Sequence, residues 1–257
     1  MPFFRNDDLS IHYLERGRGE PLLLVHGLGC SGADWAFQVA ALEHRFRIIV
    51  PDLPGSGHSS PPPHNEYTIA GFAAALWKLL DHLGIQHPNI VGFSLGGAVA
   101  LEMATLRPTR VPKLGLINSL ATYQPRDLRK WLETYVSATV VRMLGMPRAA
   151  CLMAARLFPE PWQRAMREHA AQAMGSVPAN SYLGTGLTLA RWAILDRPDR
   201  LKCRILLIAA EKDFTPLADQ PLPPSTRWVH DTPTRAQALS LAGSIAEEHA
   251  LSPLLLD

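Results

Sequence analysis

Five residues, Gly92-Phe93-Ser94-Leu95-Gly96, constrain this chain more than any others. They join the apolar run Asn89-Ile90-Val91 to a helix-forming stretch, Gly97 to Ala104. A strand that enters a helix through so tight a turn forces its middle residue into a strained conformation and lifts that side chain clear of the backbone. Glycines are needed on both sides because a Cβ there would collide with the turn. A serine presented in this way is a candidate nucleophile. The pentapeptide alone recurs by chance; the strand before it and the helix after it make it specific.

The rest of the chain alternates in the same manner. Phe3-Phe4 and Ile11 to Leu14 flank Asn6-Asp7-Asp8 and read as a hairpin. Leu22 to Val25 is wholly apolar, as expected of a strand buried on both faces. Residues 34–44 read as helix, Arg47 to Val50 as strand, and Thr68 to Leu83 as a helix ending at Gly84. The strand into Ser94 and its helix follow, then strands at Lys113 to Ile117 and Arg204 to Ile208. Such alternation predicts an α/β fold, a mostly parallel sheet with helices on both faces and its chemistry at the carboxyl ends of the strands. Between residues 121 and 195 the alternation stops. That segment reads as a helical cap inserted in a core formed by residues 1–120 and 196–257. Its basic residues, among them Arg142, Arg148, Arg156, Arg164 and Arg167, suit either solvated helix faces or a docking surface for an acidic partner.

Composition narrows the function. With 47% hydrophobic and 19% charged residues the chain suits a large packed core. A formal net charge of +2 gives no reason to expect nucleic acid. Cys30, Cys151 and Cys203 are few and widely spaced, which points to buried free thiols and to neither a disulfide framework nor a zinc site. The amino terminus lacks the apolar segment of a signal peptide, and Arg142, Arg148 and Arg156 interrupt the most apolar stretch. A cytoplasmic protein without a membrane partner is the expectation.

A second element supports Ser94. His26-Gly27-Leu28-Gly29 follows the strand Leu22–Val25 and can offer the Leu28 N–H to a carbonyl oxygen held at the serine. The Leu95 N–H, at the start of the next helix, would be the second donor of this oxyanion hole. His26 itself is expected to brace neighbouring loops.

These motifs, with Asp52-Leu-Pro-Gly-Ser-Gly-His-Ser59 and Glu211-Lys-Asp-Phe-Thr-Pro216, resemble an α/β-hydrolase-fold protein of the esterase, perhydrolase and C–C hydrolase type. The resemblance runs from about Phe3 to Leu217. It implies that the Asp52–Ser59 loop is structural. Epoxide hydrolases and haloalkane dehalogenases of this fold carry aspartate at the nucleophile position, where this chain has Ser94. The resemblance also implies a catalytic order of serine, acid, then histidine. Asp213 fits the acid, just past the strand at Ile205–Ala209, with Glu211 as competitor. The base is open among His230, His249 and no histidine at all. Residues 218–234 carry four prolines, and Arg227-Trp228-Val229 reads as a poor strand. His230 nevertheless stands in the required order.

The resulting expectation is a serine hydrolase that cleaves a small-to-medium carboxylic ester through an acyl-enzyme. Ser94 attacks, His230 carries the proton, Asp213 orients it, and Leu28 and Leu95 hold the oxyanion. No metal or organic cofactor is implied. A variant directs the same chemistry to an acidic acyl carrier. The contrasting alternative is a catalytically impaired member acting as a binding module, because the segment that should supply the histidine is atypical.

Overall fold

The computed structural model describes residues 2–6, 9–125, 128–194, 200–210 and 226–232, with the backbone alone at 129, 130, 133, 209, 210 and 226–232. Eight strands form one sheet. They are β1 (Phe3–Asn6), β2 (Leu9–Arg16), β3 (Glu20–Val25), β4 (Phe46–Pro51), β5 (Asn89–Phe93), β6 (Lys113–Ile117), β7 (Arg204–Ala210) and β8 (Thr226–Thr232). Their spatial order is β1-β2-β4-β3-β5-β6-β7-β8. The hairpin forms as expected, with Phe4 opposite Ile11, and β2 runs antiparallel to β4. Every other pairing is parallel.

The five central strands explain why their sequences are apolar throughout. Leu23, Val25, Ile49, Ile90, Leu114, Leu116, Ile205 and Leu207 point into one core. Leu22, Leu24, Ile48, Val50, Val91, Ile117, Leu206 and Ile208 point into the other. The period of two puts neighbouring residues on opposite faces, and each face is covered, so both sets are buried. Each such side chain removed from water stabilises the fold by about 1.5–3 kcal/mol.

Helices α2 (Ile69–His82) and α3 (Leu95–Leu106) cover the first face, and α1 (Ala36–Leu42) packs on the second. Thr68 caps α2, its hydroxyl accepting the Gly71 N–H at 2.9 Å. Trp77 of α2 donates its indole N–H to the Met103 carbonyl of α3 at 3.1 Å.

After β6 the chain leaves the sheet for α4 (Leu128–Leu144), α5 (Met146–Leu157), α6 (Arg164–Gly175) and α7 (Ala179–Leu189). These helices share a small core of their own around Val141, Met146, Ala149, Ala150, Ala154 and Met174. The two ends of the insertion run antiparallel and pair at Thr122 and Ala193. Trp192 then ties the exit to α3, donating its indole N–H to Glu102 Oε2 at 3.0 Å.

Two sequence expectations require correction. The stretch around Arg227-Trp228-Val229 is a strand: β8 pairs in parallel with β7, Leu207 opposite Trp228. β-branched Thr226, Val229 and Thr232 together with Trp228 suit a pleated edge, and the prolines at 221, 223, 224 and 233 all lie outside the strand. The cysteines are not uniformly buried either. Cys203 is buried and Cys30 half-buried, but Cys151 is exposed on α5.

Candidate active site

Ser94 stands between β5 and α3 with φ 52° and ψ −114°, a backbone conformation that residues with a side chain rarely adopt. The turn is closed from below by the Ser94 N–H, which donates to the Ile117 carbonyl of β6 at 2.9 Å. The Ser94 carbonyl accepts the Gly97 N–H at 2.9 Å. The flanking glycines are required sterically. A Cβ at Gly92 would strike the backbone of Gly96 and Gly97, and one at Gly96 would strike the carbonyls of Val25 and His26. Ser94 is 7% exposed, so this strained serine lies under other parts of the chain.

The clash partners of Gly96 show which loop lies beside it: the end of β3. Strands β3 and β5 are neighbours, with Val25 opposite Gly92. The loop His26–Gly29 therefore emerges next to Ser94 at the carboxyl edge of the sheet. His26 is buried and doubly bonded. Its Nε2 accepts the Leu53 N–H at 2.9 Å, which leaves the proton on Nδ1, donated to the Gly27 carbonyl at 2.8 Å. Burial holds its pKa below 6.5, consistent with a neutral ring that braces loops. In a trans peptide the N–H points opposite to its carbonyl. With the Gly27 carbonyl turned toward His26, the Leu28 N–H is turned the other way.

Asp52 organises the neighbouring loop. Its carboxylate accepts from His12 Nδ1 at 2.8 Å, the Gly32 N–H at 2.7 Å and the His58 N–H at 2.9 Å. The Ser59 hydroxyl donates to the Asp52 carbonyl at 2.7 Å and accepts the His12 N–H at 2.9 Å. Every polar group of Asp52 is thus turned inward, in keeping with the structural role that the resemblance implies for this loop.

Helices α6 and α7 pass over these loops. Met174 and Tyr182 lie against Gly29, and Gly186 faces the Leu28 side chain. Tyr67 shares a hydrogen bond of 2.8 Å with Ser181 of α7. Five of the described basic residues of the insertion divide into two groups. Arg164 pairs with Glu168 at 2.8 Å, and Arg167 donates to the carbonyls of Phe158 and Glu160. Arg142, Arg148 and Arg156 are exposed.

Ser94, Leu95 and Leu28 therefore come together around the ends of β3 and β5. Asp213 and His249, like Glu211, lie outside the described residues. His230 belongs to β8, where only the backbone is described. The register between β7 and β8 slips there, so that Val229 and His230 together stand opposite Ile208. An extra residue of this kind is a β-bulge, a device that bends an edge strand and re-aims its side chains. A further residue at the turn is Ser119, just beyond β6, whose hydroxyl donates to the Ser94 carbonyl at 2.9 Å. No local pattern marks it, since its partner is 25 residues away. Among the described residues no group of three or more His, Cys, Asp or Glu could hold a metal ion, and no helix is long and apolar enough to cross a membrane.

Comparison with known proteins agrees with this geometry. The alpha/beta hydrolase fold family matches over residues 20–215. The chain is 30% identical to a putative carbamate hydrolase RutD of Stutzerimonas stutzeri over 96% of each protein. It is 43% identical over 101 residues to the magnesium-chelatase 30 kDa subunit of Rhodobacter capsulatus, a match spanning 39% of this chain and 35% of that one. Among solved structures, a thermophilic esterase from Thermogutta terrifontis superimposes with a TM-score of 0.79 at 25% identity, covering 94% of this chain and 93% of the esterase.

Proposed function

The chain belongs to the alpha/beta hydrolase fold family, and on that premise we propose that it is a serine hydrolase cleaving small-to-medium carboxylic esters through an acyl-enzyme. The observation that carries this reading is the backbone of Ser94. A strained serine at the end of a central strand, at the mouth of a helix, has no structural advantage over glycine, which tolerates positive φ without penalty. Its hydroxyl is what the strain secures.

In this reading the Ser94 hydroxyl attacks the ester carbonyl as His230 takes its proton. The negative charge that develops on the carbonyl oxygen is received by the N–H groups of Leu28 and Leu95. Two supports favour those donors: the Gly27 carbonyl is held away by His26, and the Leu95 N–H is the first amide of α3, with no partner inside the helix. Losing one such donor costs about 100- to 1000-fold in turnover. Collapse of the tetrahedral species expels the alcohol, protonated by His230, and leaves the acyl group on Ser94. Water then attacks with His230 again as base, releasing the acid and restoring the serine.

Asp213 follows the end of β7 by three residues, and its role is to fix the tautomer of His230. The choice of His230 draws support from its position near the carboxyl end of β8, a strand parallel to the one that leads to Asp213. Carbamates and esters share this carbonyl chemistry, and the similar proteins include a putative carbamate hydrolase and an esterase.

A panel of p-nitrophenyl esters of graded acyl length tests the proposal. Turnover is expected on the shorter members, with Ser94→Ala lowering kcat by about 10,000-fold or more. Hydrolysis on every ester no faster than with Ser94→Ala would refute it.

A further inference from the structure

Ser94 is held in its strained turn by one side chain as well as by backbone. The Ser119 hydroxyl donates to the Ser94 carbonyl at 2.9 Å, and its oxygen lies 3.2 Å from the Tyr123 hydroxyl. A carbonyl can only accept, so the Ser119 proton is committed to Ser94, and Tyr123 must donate to Ser119. The Tyr123 oxygen in turn accepts the Leu120 N–H at 3.3 Å. The result is a directed chain of hydrogen bonds from Leu120 through Tyr123 and Ser119 to the carbonyl of the candidate nucleophile. Bonds arranged head to tail polarise and strengthen one another, and the last link, at Ser94, is buried.

We propose that Ser119 is a positioning residue, whose hydroxyl, oriented by Tyr123, clamps the Ser94–Leu95 peptide and so aims the Leu95 N–H at the forming oxyanion. The carbonyl and the N–H of a trans peptide point in opposite directions, so gripping the carbonyl fixes the donor. Helix α3 grips the same carbonyl from one side through the Gly97 and Ala98 N–H groups, at 2.9 and 3.3 Å, and the Ser119 hydroxyl adds a donor from just beyond β6. The other donor is treated in the same way: His26 grips the Gly27 carbonyl behind the Leu28 N–H. As a catalytic device the clamp rests on the reading of Ser94 as nucleophile; as a conformational one it does not.

Two measurements on Ser119→Ala test it. With p-nitrophenyl acetate, kcat is expected to fall about tenfold while KM stays within about twofold, since the donor contributes mainly in the transition state. In the substrate-free protein, hydrogen exchange of the Leu95 amide, followed by NMR, is expected to accelerate by about tenfold as the peptide loosens. Tyr123→Phe should lose less, and the double variant no more than Ser119→Ala alone, because both act through one bond. Unchanged kcat or unchanged Leu95 exchange in Ser119→Ala overturns the proposal. If the wild-type protein hydrolyses no ester, the nucleophile reading fails, and Leu95 exchange still decides the clamp. Should Ser119→Ala not fold, Ser119→Cys, of similar size but a weak donor, is read by the same two measurements, and wild-type behaviour in both overturns the clamp.

Discussion

Ser94 occupies a backbone region that costs a residue with a side chain about 1–3 kcal/mol. The surroundings hold it there: Ile117 accepts its N–H, Gly97 and Ser119 donate to its carbonyl, and Gly92 and Gly96 let adjacent segments approach without a Cβ. Gly96 is the most exacting of these, because the space its Cβ would enter belongs to the backbone carbonyls of Val25 and His26. Backbone cannot yield as a flexible side chain can. Gly96→Ala is therefore expected to destabilise the protein by about 3 kcal/mol or more, the upper end for overpacking a core. Urea denaturation measures it, and a midpoint equal to that of the wild type would show that β3 and β5 are not held as tightly as described.

The loop after β3 shows how a single ring couples stability to pH. His26 is neutral in the fold because burial lowers its pKa below the ordinary 6.5, and its Nε2 must stay unprotonated to accept the Leu53 N–H. In the unfolded chain the same ring binds a proton once pH falls below 6.5. The unfolded state then carries more protons, so stability declines as pH falls through the window between 6.5 and the lower folded pKa, by up to about 1.4 kcal/mol per pH unit. Above 6.5 this contribution is fully present. His26→Gln should unfold more easily at neutral pH yet show a flatter decline between pH 6.5 and 5. An unchanged slope, by denaturation at several pH values, would assign the acid sensitivity elsewhere.

How readily an element is read from sequence follows from how many neighbours enforce its pattern. Strands β3 to β7 are buried on both faces, which demands continuous apolar runs such as Leu22 to Val25, and the turn at Ser94 demands glycine at fixed offsets. Both requirements are local and visible. Among the described residues strand β8 pairs with β7 alone, and it carries Arg227 and Asp231 among its β-branched residues, so its alternation is diluted to the point of resembling a loop. Ser119 and Tyr123 are less visible still. Their significance lies in a contact across 25 residues, and the loop that carries them has no periodicity to betray it.

Across the whole molecule the sheet order brings the functional ends together. The central neighbours β3, β5 and β6 lead at the carboxyl edge to the Leu28 loop, Ser94 and Ser119 respectively, and β7 and β8 run parallel to them along the same sheet. The inserted helices close over that edge, with α7 seated against Leu28 and the insertion anchored to α3 through Trp192 and Glu102. The central claim is that this assembly activates one hydroxyl. It is tested most directly by fluorophosphonate labelling of the folded wild-type protein, read by intact mass and peptide mapping. A single adduct on Ser94 is expected, absent in Ser94→Ala and formed at least about 1000-fold more slowly in His230→Ala. A folded wild-type protein that takes up no adduct, or takes it up equally fast without His230, would contradict it.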